Sequence, residues 1–288
     1  MKHLALALLI WCGAWLAAED FTVEKDVSFL AEDRAEKLDL YLPQSNGALR
    51  PAVVMIHGGS WKHGSKSASR ELNICTNLAK AGYVAVSIEY RLAKGRFAYP
   101  VNLNDCRDAV RFLRANAAKY QIDPARIGVI GASAGGHLAL LLALTDEENF
   151  TDPSSIYPGV SCRVSCCINL YGVTTRFPEE TQLNRDFDAM AGKSADAASL
   201  QEMLPVKRVK KSAPPVLTLH GTADKTVSFR HAEALDAALK SQGVPSELLP
   251  VAGVGHMFNM EFTDDGKPLP GEVKTAMLRF LENNLKVR

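Results

Sequence analysis

Polar and apolar positions alternate with period two over residues 26–30 and 37–42, and this pattern predicts two short strands forming an antiparallel edge hairpin. Short apolar or β-branched runs follow at 52–56, 84–88, 127–130, 164–170, 216–219 and 247–251. Unbroken runs of this length suit strands buried on both faces. The intervals between them can hold crossover helices, which the spacing predicts over about 67–81, 102–119, 135–144, 228–242 and 272–285. Gly243 is a suitable stop for the fourth of these, and Asp123-Pro124 and Asp224 fall in turns before elements. The expected architecture is α/β, a mostly parallel sheet of eight strands flanked by helices.

Residues 173–213 interrupt this rhythm. They are polar, rich in Ala, Asp, Lys and Arg, and have little strand character where only a crossover helix is required. The segment is expected to be an inserted helical cap or lid, because long connections in folded domains usually carry function. With no linker, repeat or low-complexity tract, residues 19–288 are expected to form one domain.

The N-terminus changes the picture by adding a destination. Met1-Lys2-His3, an apolar stretch from Leu4 to Leu16 and Ala17-Ala18 before Glu19-Asp20 have the order of a cleavable signal peptide, so 1–18 is set aside from fold reasoning. The apolar run is short for a bilayer span, so a secreted or periplasmic protein with no stable membrane insertion is expected. Cys12 suggests a lipoprotein anchor, but Trp11 directly before it argues against one. The net charge of +1 and a single short basic run, Lys207 to Lys211, give no sign of nucleic-acid binding. The mature cysteines, Cys75, Cys106, Cys162, Cys166 and Cys167, lack metal-ligand spacing and read as buried small hydrophobes with room for one bridge. Cys166 and Cys167, being neighbours in a strand, should face opposite ways.

Candidate chemistry centres on Gly131-Ala132-Ser133-Ala134-Gly135, set between a strand and an apolar helix. A serine on so sharp a turn needs small neighbours, and the helix N-terminus supplies positive partial charge. A bare GxSxG arises by chance in about one chain in ten of this length, so the strand–turn–helix context carries the reading. A phosphate-cradling loop is the rival, but the spacing is not GxGxxG and no Lys-Ser/Thr follows. Serine requires a base. In the order nucleophile–acid–base, His256 in Gly253-Val254-Gly255-His256 is the candidate; His231 falls inside a helix. Asp224, just after an apolar strand, is the candidate acid that orients the imidazole; a helix N-cap is its bland alternative, and Asp196 and Glu202 are weaker substitutes.

His57-Gly58-Gly59-Ser60-Trp61 follows the strand at 52–56, where paired glycines can expose amides to a reacting oxygen. Gly58, Gly59 and Ala134 are therefore the candidate oxyanion-hole donors. Trp61 is the candidate substrate contact, and loops around Trp61 and Phe97 are expected to shape the pocket together with 173–213. His57, His63, His137 and His220 have no zinc-site spacing, so neither a metal nor another cofactor is expected.

The motifs His57-Gly58-Gly59-Ser60-Trp61, Ile88-Glu89-Tyr90-Arg91-Leu92, Gly131-Ala132-Ser133-Ala134-Gly135-Gly136, His220-Gly221-xx-Asp224-xx-Val227 and Gly255-His256 occur in one order. Together they resemble the signatures of the bacterial acyl-esterase group of α/β hydrolases, neighbours of the hormone-sensitive-lipase-like esterases that include feruloyl and acetyl-xylan esterases. Ser60 stands where a third glycine is often seen, and Glu89 where Asp is more usual. The resemblance implies an α/β-hydrolase fold and cofactor-free acyl-serine hydrolysis of small-acyl or aryl esters. With export, it suggests an acylated plant or algal polysaccharide fragment as a substrate. Two other readings compete. One is a peptidase like the prolyl-oligopeptidase catalytic domain, which usually carries a propeller that this chain is too short to hold. The other is a non-catalytic binding module on a hydrolase scaffold. Oligomeric state is not legible in the sequence.

Overall fold

A computed structural model describes residues 20–94, 98–145, 154–192 and 196–286. The signal-peptide segment, Cys12 and Phe97 lie outside the described residues. Strands β1 (Phe21–Ser28), β2 (Lys37–Pro43), β3 (Arg50–Ile56), β4 (Val84–Ile88), β5 (Ile122–Ala132), β6 (Cys167–Leu170), β7 (Val216–Gly221) and β8 (Ser246–Val251) form one sheet. Its eight strands run in the order β1-β2-β4-β3-β5-β6-β7-β8. The β1–β2 and β2–β4 pairs are antiparallel, and every later pair is parallel.

Both faces of this sheet are covered, which explains its unbroken apolar runs. Along β3, Ala52, Val54 and Ile56 enter one core with α2 (Val101–Ala115), α4 (Ala134–Leu144) and α8 (Arg230–Ser241). Val53 and Met55 point the other way, into a second core with α1 (Ser69–Lys80) and α9 (Glu272–Leu285). Cys166 and Cys167 divide between these two cores as their neighbouring positions require. All five described cysteines are buried free thiols, with no bridge among them.

Three boundaries differ from the sequence reading. The first strand begins at Phe21 because a bulge between Glu24 and Val27, with Asp26 at φ 55°, resets the alternation. The helix expected over 102–119 breaks at Asn116 into α2 and the short α3 (Ala117–Tyr120), and β5 then absorbs Asp123-Pro124. The strand expected over 164–170 shortens to β6.

Between β6 and β7 the chain carries α5 (Thr181–Ala191), α6 (Ala197–Glu202) and α7 (Pro205–Arg208). Helix α7 packs on α4 and α8. The start of this connection is tied to α8 through buried His231, whose Nε2 lies 2.7 Å from Glu180 Oε2 while its Nδ1 accepts from Thr174 N at 3.1 Å. Asp196 caps α6, accepting from Ser199 N at 2.7 Å. No helix among the described residues is long and apolar enough to cross a membrane.

The parallel registers align the carboxyl ends of five strands. Ile56 pairs with Gly131, Gly131 with Asn169, Asn169 with Thr218, and Gly221 with Val251. Loops leaving those ends therefore converge on one rim, where ligands bind in open α/β sheets.

Candidate active site

Ser133 sits on that rim, between β5 and α4, at φ 54° and ψ −118°. A non-glycine residue in this region is strained, and the surroundings hold it there. Its amide donates to Leu170 O at 2.9 Å, and its carbonyl accepts from His137 N at 3.0 Å. Helix α4 must also pass close to the end of β3: a Cβ on Gly135 would fall 2.1 Å from Ile56 O. The turn thus needs glycine at that position to bring the hydroxyl and the Gly58–Gly59 loop together.

The Ser133 Oγ and His256 Nε2 are 2.9 Å apart. On the other side of the imidazole, Nδ1 lies 2.7 Å from Asp224 Oδ2. Hydroxyl, imidazole and carboxylate, brought from three separate loops, form one continuous hydrogen-bonded series. Asp224 is not a helix cap, since α8 begins six residues later with Phe229 before it. Its Oδ1 instead accepts from Thr226 N at 2.8 Å and Val227 N at 2.9 Å. Burial opposes ionisation of this carboxyl, but hydrogen bonds from His220, His256 and the Val227 amide outweigh it and hold it well below the usual carboxylate range.

Reading the sequence missed the part played by His220. This fully buried ring directs Nε2 to Val227 O at 2.8 Å and stands 3.2 Å from Asp224 Oδ2. Its place four residues before Asp224 in the His220-Gly221-xx-Asp224 motif was the available signal.

Gly58 and Gly59 lie across the rim from His256. A Cβ on Gly58 would come within 3.3 Å of Ser133 Cβ, so this loop borders Ser133 directly. Gly59 has φ +117°, and a side chain there would drive into His63 O at 2.1 Å. Among the described residues, none of the amides of Gly58, Gly59 and Ala134 donates to a backbone carbonyl. Behind them, His57 donates from Nδ1 to Gly58 O at 2.7 Å and stacks on Tyr90, whose hydroxyl donates to His57 O at 3.0 Å. Burial pushes the His57 imidazole down to about 4. Tyr90, from the Ile88–Leu92 motif, is thus a prop beneath the glycine loop.

Trp61 occupies a different place from the one expected of a substrate contact. Its ring is 0% exposed and packs edge-on against His137 at 5.2 Å and Phe187 of α5 at 5.8 Å. In this conformation it joins the glycine loop to α5 and offers no surface to a ligand. The next residue extends the same attachment, Lys62 Nζ lying 2.6 Å from Asp186 Oδ1. An open cleft of about 540 Å³ borders His256 and is lined by Met257, Asp264, Lys267 and Pro268 among others. Among the described residues, no group of three or more His, Cys, Asp or Glu side chains is arranged to hold a metal ion.

Comparison with known proteins identifies the family and the fold. The BD-FAE family model matches residues 38–239, a stretch that contains Ser133 and Asp224 and ends before His256. The esterase LipC of Mycobacterium tuberculosis is 31% identical over 248 residues, covering 80% of this chain. The chain spans only 58% of LipC's own length. Among solved structures, a truncated carbohydrate esterase from gut microbiota superimposes with a TM-score of 0.82 at 22% identity, covering 94% of this chain and 99% of that one. An acetyl ester-xyloside bifunctional hydrolase from Caldicellulosiruptor lactoaceticus gives 0.73 at 26% identity, covering 88% and 89%. Matched across most of its sheet and sharing the layered architecture of those structures, the chain belongs to the BD-FAE family and has the α/β-hydrolase fold.

Proposed function

We propose that the protein is a serine carboxylic-ester hydrolase with Ser133 as nucleophile, His256 as general base and Asp224 as the acid that orients it. The observation that carries this reading is the series Ser133 Oγ–His256 Nε2–Nδ1–Asp224 Oδ2, with separations of 2.9 and 2.7 Å. Ser133 Oγ attacks the ester carbonyl while His256 Nε2 takes its proton, and Asp224 stabilises the imidazolium without itself being protonated. The amides of Gly58, Gly59 and Ala134 receive the oxyanion, each such donor contributing about 3–4 kcal/mol to lowering the barrier. His256 then protonates the departing alcohol, and water, activated by the same imidazole, releases the acid from the acyl-serine.

The substrate in this reading is a small-acyl or aryl ester, and an acylated oligosaccharide is the natural candidate. The likeness to an acetyl ester-xyloside hydrolase supports that choice. The basic, apolar and small-residue order of residues 1–18 supports export, which would meet such a substrate outside the cytoplasm. The helices of 173–213 act as a cap, their α5 being fastened to Trp61 and Lys62 beside the oxyanion loop. The test is turnover of p-nitrophenyl acetate by Ser133→Ala. Loss of at least about 10³-fold is expected, and undiminished turnover would end the reading.

A further inference from the structure

Tyr171 follows β6 immediately, on the rim between the Ser133 turn and the Asp224 loop, and it has φ 42°. A large aromatic residue in the left-handed region is strained, so the surrounding structure must over-determine its position. Its ring is fully buried and lies between two residues of the loop after β8. One is His256, edge-on at 5.0 Å between ring centroids; the other is Phe258, at 4.7 Å. The Tyr171 hydroxyl donates to Phe258 O at 2.7 Å and receives Phe258 N at 3.4 Å. Both polar backbone groups of the residue two places after His256 are thereby tied to a single side chain.

That side chain is itself held. Its amide donates to Leu219 O at 2.9 Å, on the strand that leads to Asp224. The Arg70 guanidinium stands beside the hydroxyl, paired with buried Glu71 at 2.7 Å. Burial pushes the phenol up, so it remains a donor across the working range of the enzyme.

We propose that Tyr171 is the positioning residue for His256, fixing the imidazole within reach of Ser133 by gripping the Phe258 backbone and filling the space beside the ring. The inference rests on His256 being the base. A loop leaving the last strand has no regular secondary structure to align its side chains, and misplacing a base by about 1 Å costs on the order of 10²-fold in rate. The grip holds both backbone polar groups of Phe258, two residues after His256, through a side chain that belongs to neither the Ser133 turn nor the Asp224 loop.

The test is Tyr171→Phe, which keeps the ring and removes only the hydroxyl, beside His256→Ala and the control Tyr83→Phe. Tyr83 is buried with no hydrogen-bond partner for its hydroxyl among the described residues, so its variant should turn over substrate like the parent. For Tyr171→Phe, kcat on an ester should fall about 10–100-fold with KM within about twofold. The loss should be larger for an ethyl ester, whose alcohol must be protonated by His256, than for a p-nitrophenyl ester, whose phenolate leaves without a proton. Thermal unfolding of each variant accompanies the rates. A Tyr171→Phe protein with reduced melting temperature but parental kcat and an unchanged ethyl-to-nitrophenyl ratio would overturn the positioning role. If His256→Ala remained active, the assignment of the base would fall instead, so the two failures are separable.

Discussion

His57 and His137 are 1% and 0% exposed, and burial holds each imidazole down to about 4, against 6.5 for a free side chain. Both therefore stay neutral in the fold at pH values where the unfolded chain binds the proton. The stability they contribute is fully present above pH 6.5 and is lost progressively as pH falls toward 4. Over the whole window the loss is about 3 kcal/mol per ring, and at pH 5 it has reached about 2 kcal/mol per ring. Against a total of about 5–15 kcal/mol for a typical domain, the two rings alone would remove a large fraction. His137 is the cleaner ring to replace, because its Nε2 donates to Met203 O at 2.8 Å, whereas the His57 ring donates to Gly58 O within the glycine loop itself. Gln cannot titrate and can still donate to that carbonyl. Urea unfolding at pH 7.5 and 5.0 should show the parent losing about 2 kcal/mol more than His137→Gln between the two. Parallel pH dependence in the two proteins would refute the claim that this buried imidazole is kept neutral.

Asp224→Asn should keep its carbonyl oxygen on the Thr226 and Val227 amides, turning its NH₂ toward His256 Nδ1 and His220 Nε2. The imidazole would then have to accept at Nδ1 and carry its proton on Nε2, the wrong tautomer for a base, and kcat should drop about 10⁴-fold. A steady-state kcat above a tenth of the parent would contradict it. Gly59→Ala places a methyl 2.1 Å from His63 O in a backbone region hostile to side chains. The loop must shift, and kcat on a nitrophenyl ester should fall about 10²–10³-fold, the loss expected for one oxyanion donor; a parental kcat would show that this amide is not used.

The layers of the fold were legible because a doubly covered sheet writes unbroken apolar runs, as at 52–56 and 84–88, with crossover helices between them. The edges were less so. The bulge at Asp26 shifts the alternation without changing composition, and the break at Asn116 lies inside an otherwise amphipathic stretch. At the rim, Ser133, Asp224 and His256 could be singled out because the chemistry demands a hydroxyl, a base and an acid in strand-end loops. Their meeting could not, since it depends on the register of five strands. Trp61 shows the limit of reading by neighbourhood: beside the glycine pair it suggested a ligand contact, yet it lies inward against His137 and Phe187. Tyr171 left no pattern at all, because its work is done across 87 residues of sequence to Phe258.

Covalent capture of Ser133 tests the proposed mechanism most directly. The parent chain should take up one fluorophosphonate, and peptide mass spectrometry should find the added mass on the oxygen of Ser133. His256→Ala should slow that labelling by at least about 10³-fold. Label on another residue, or a rate indifferent to His256, would contradict the account.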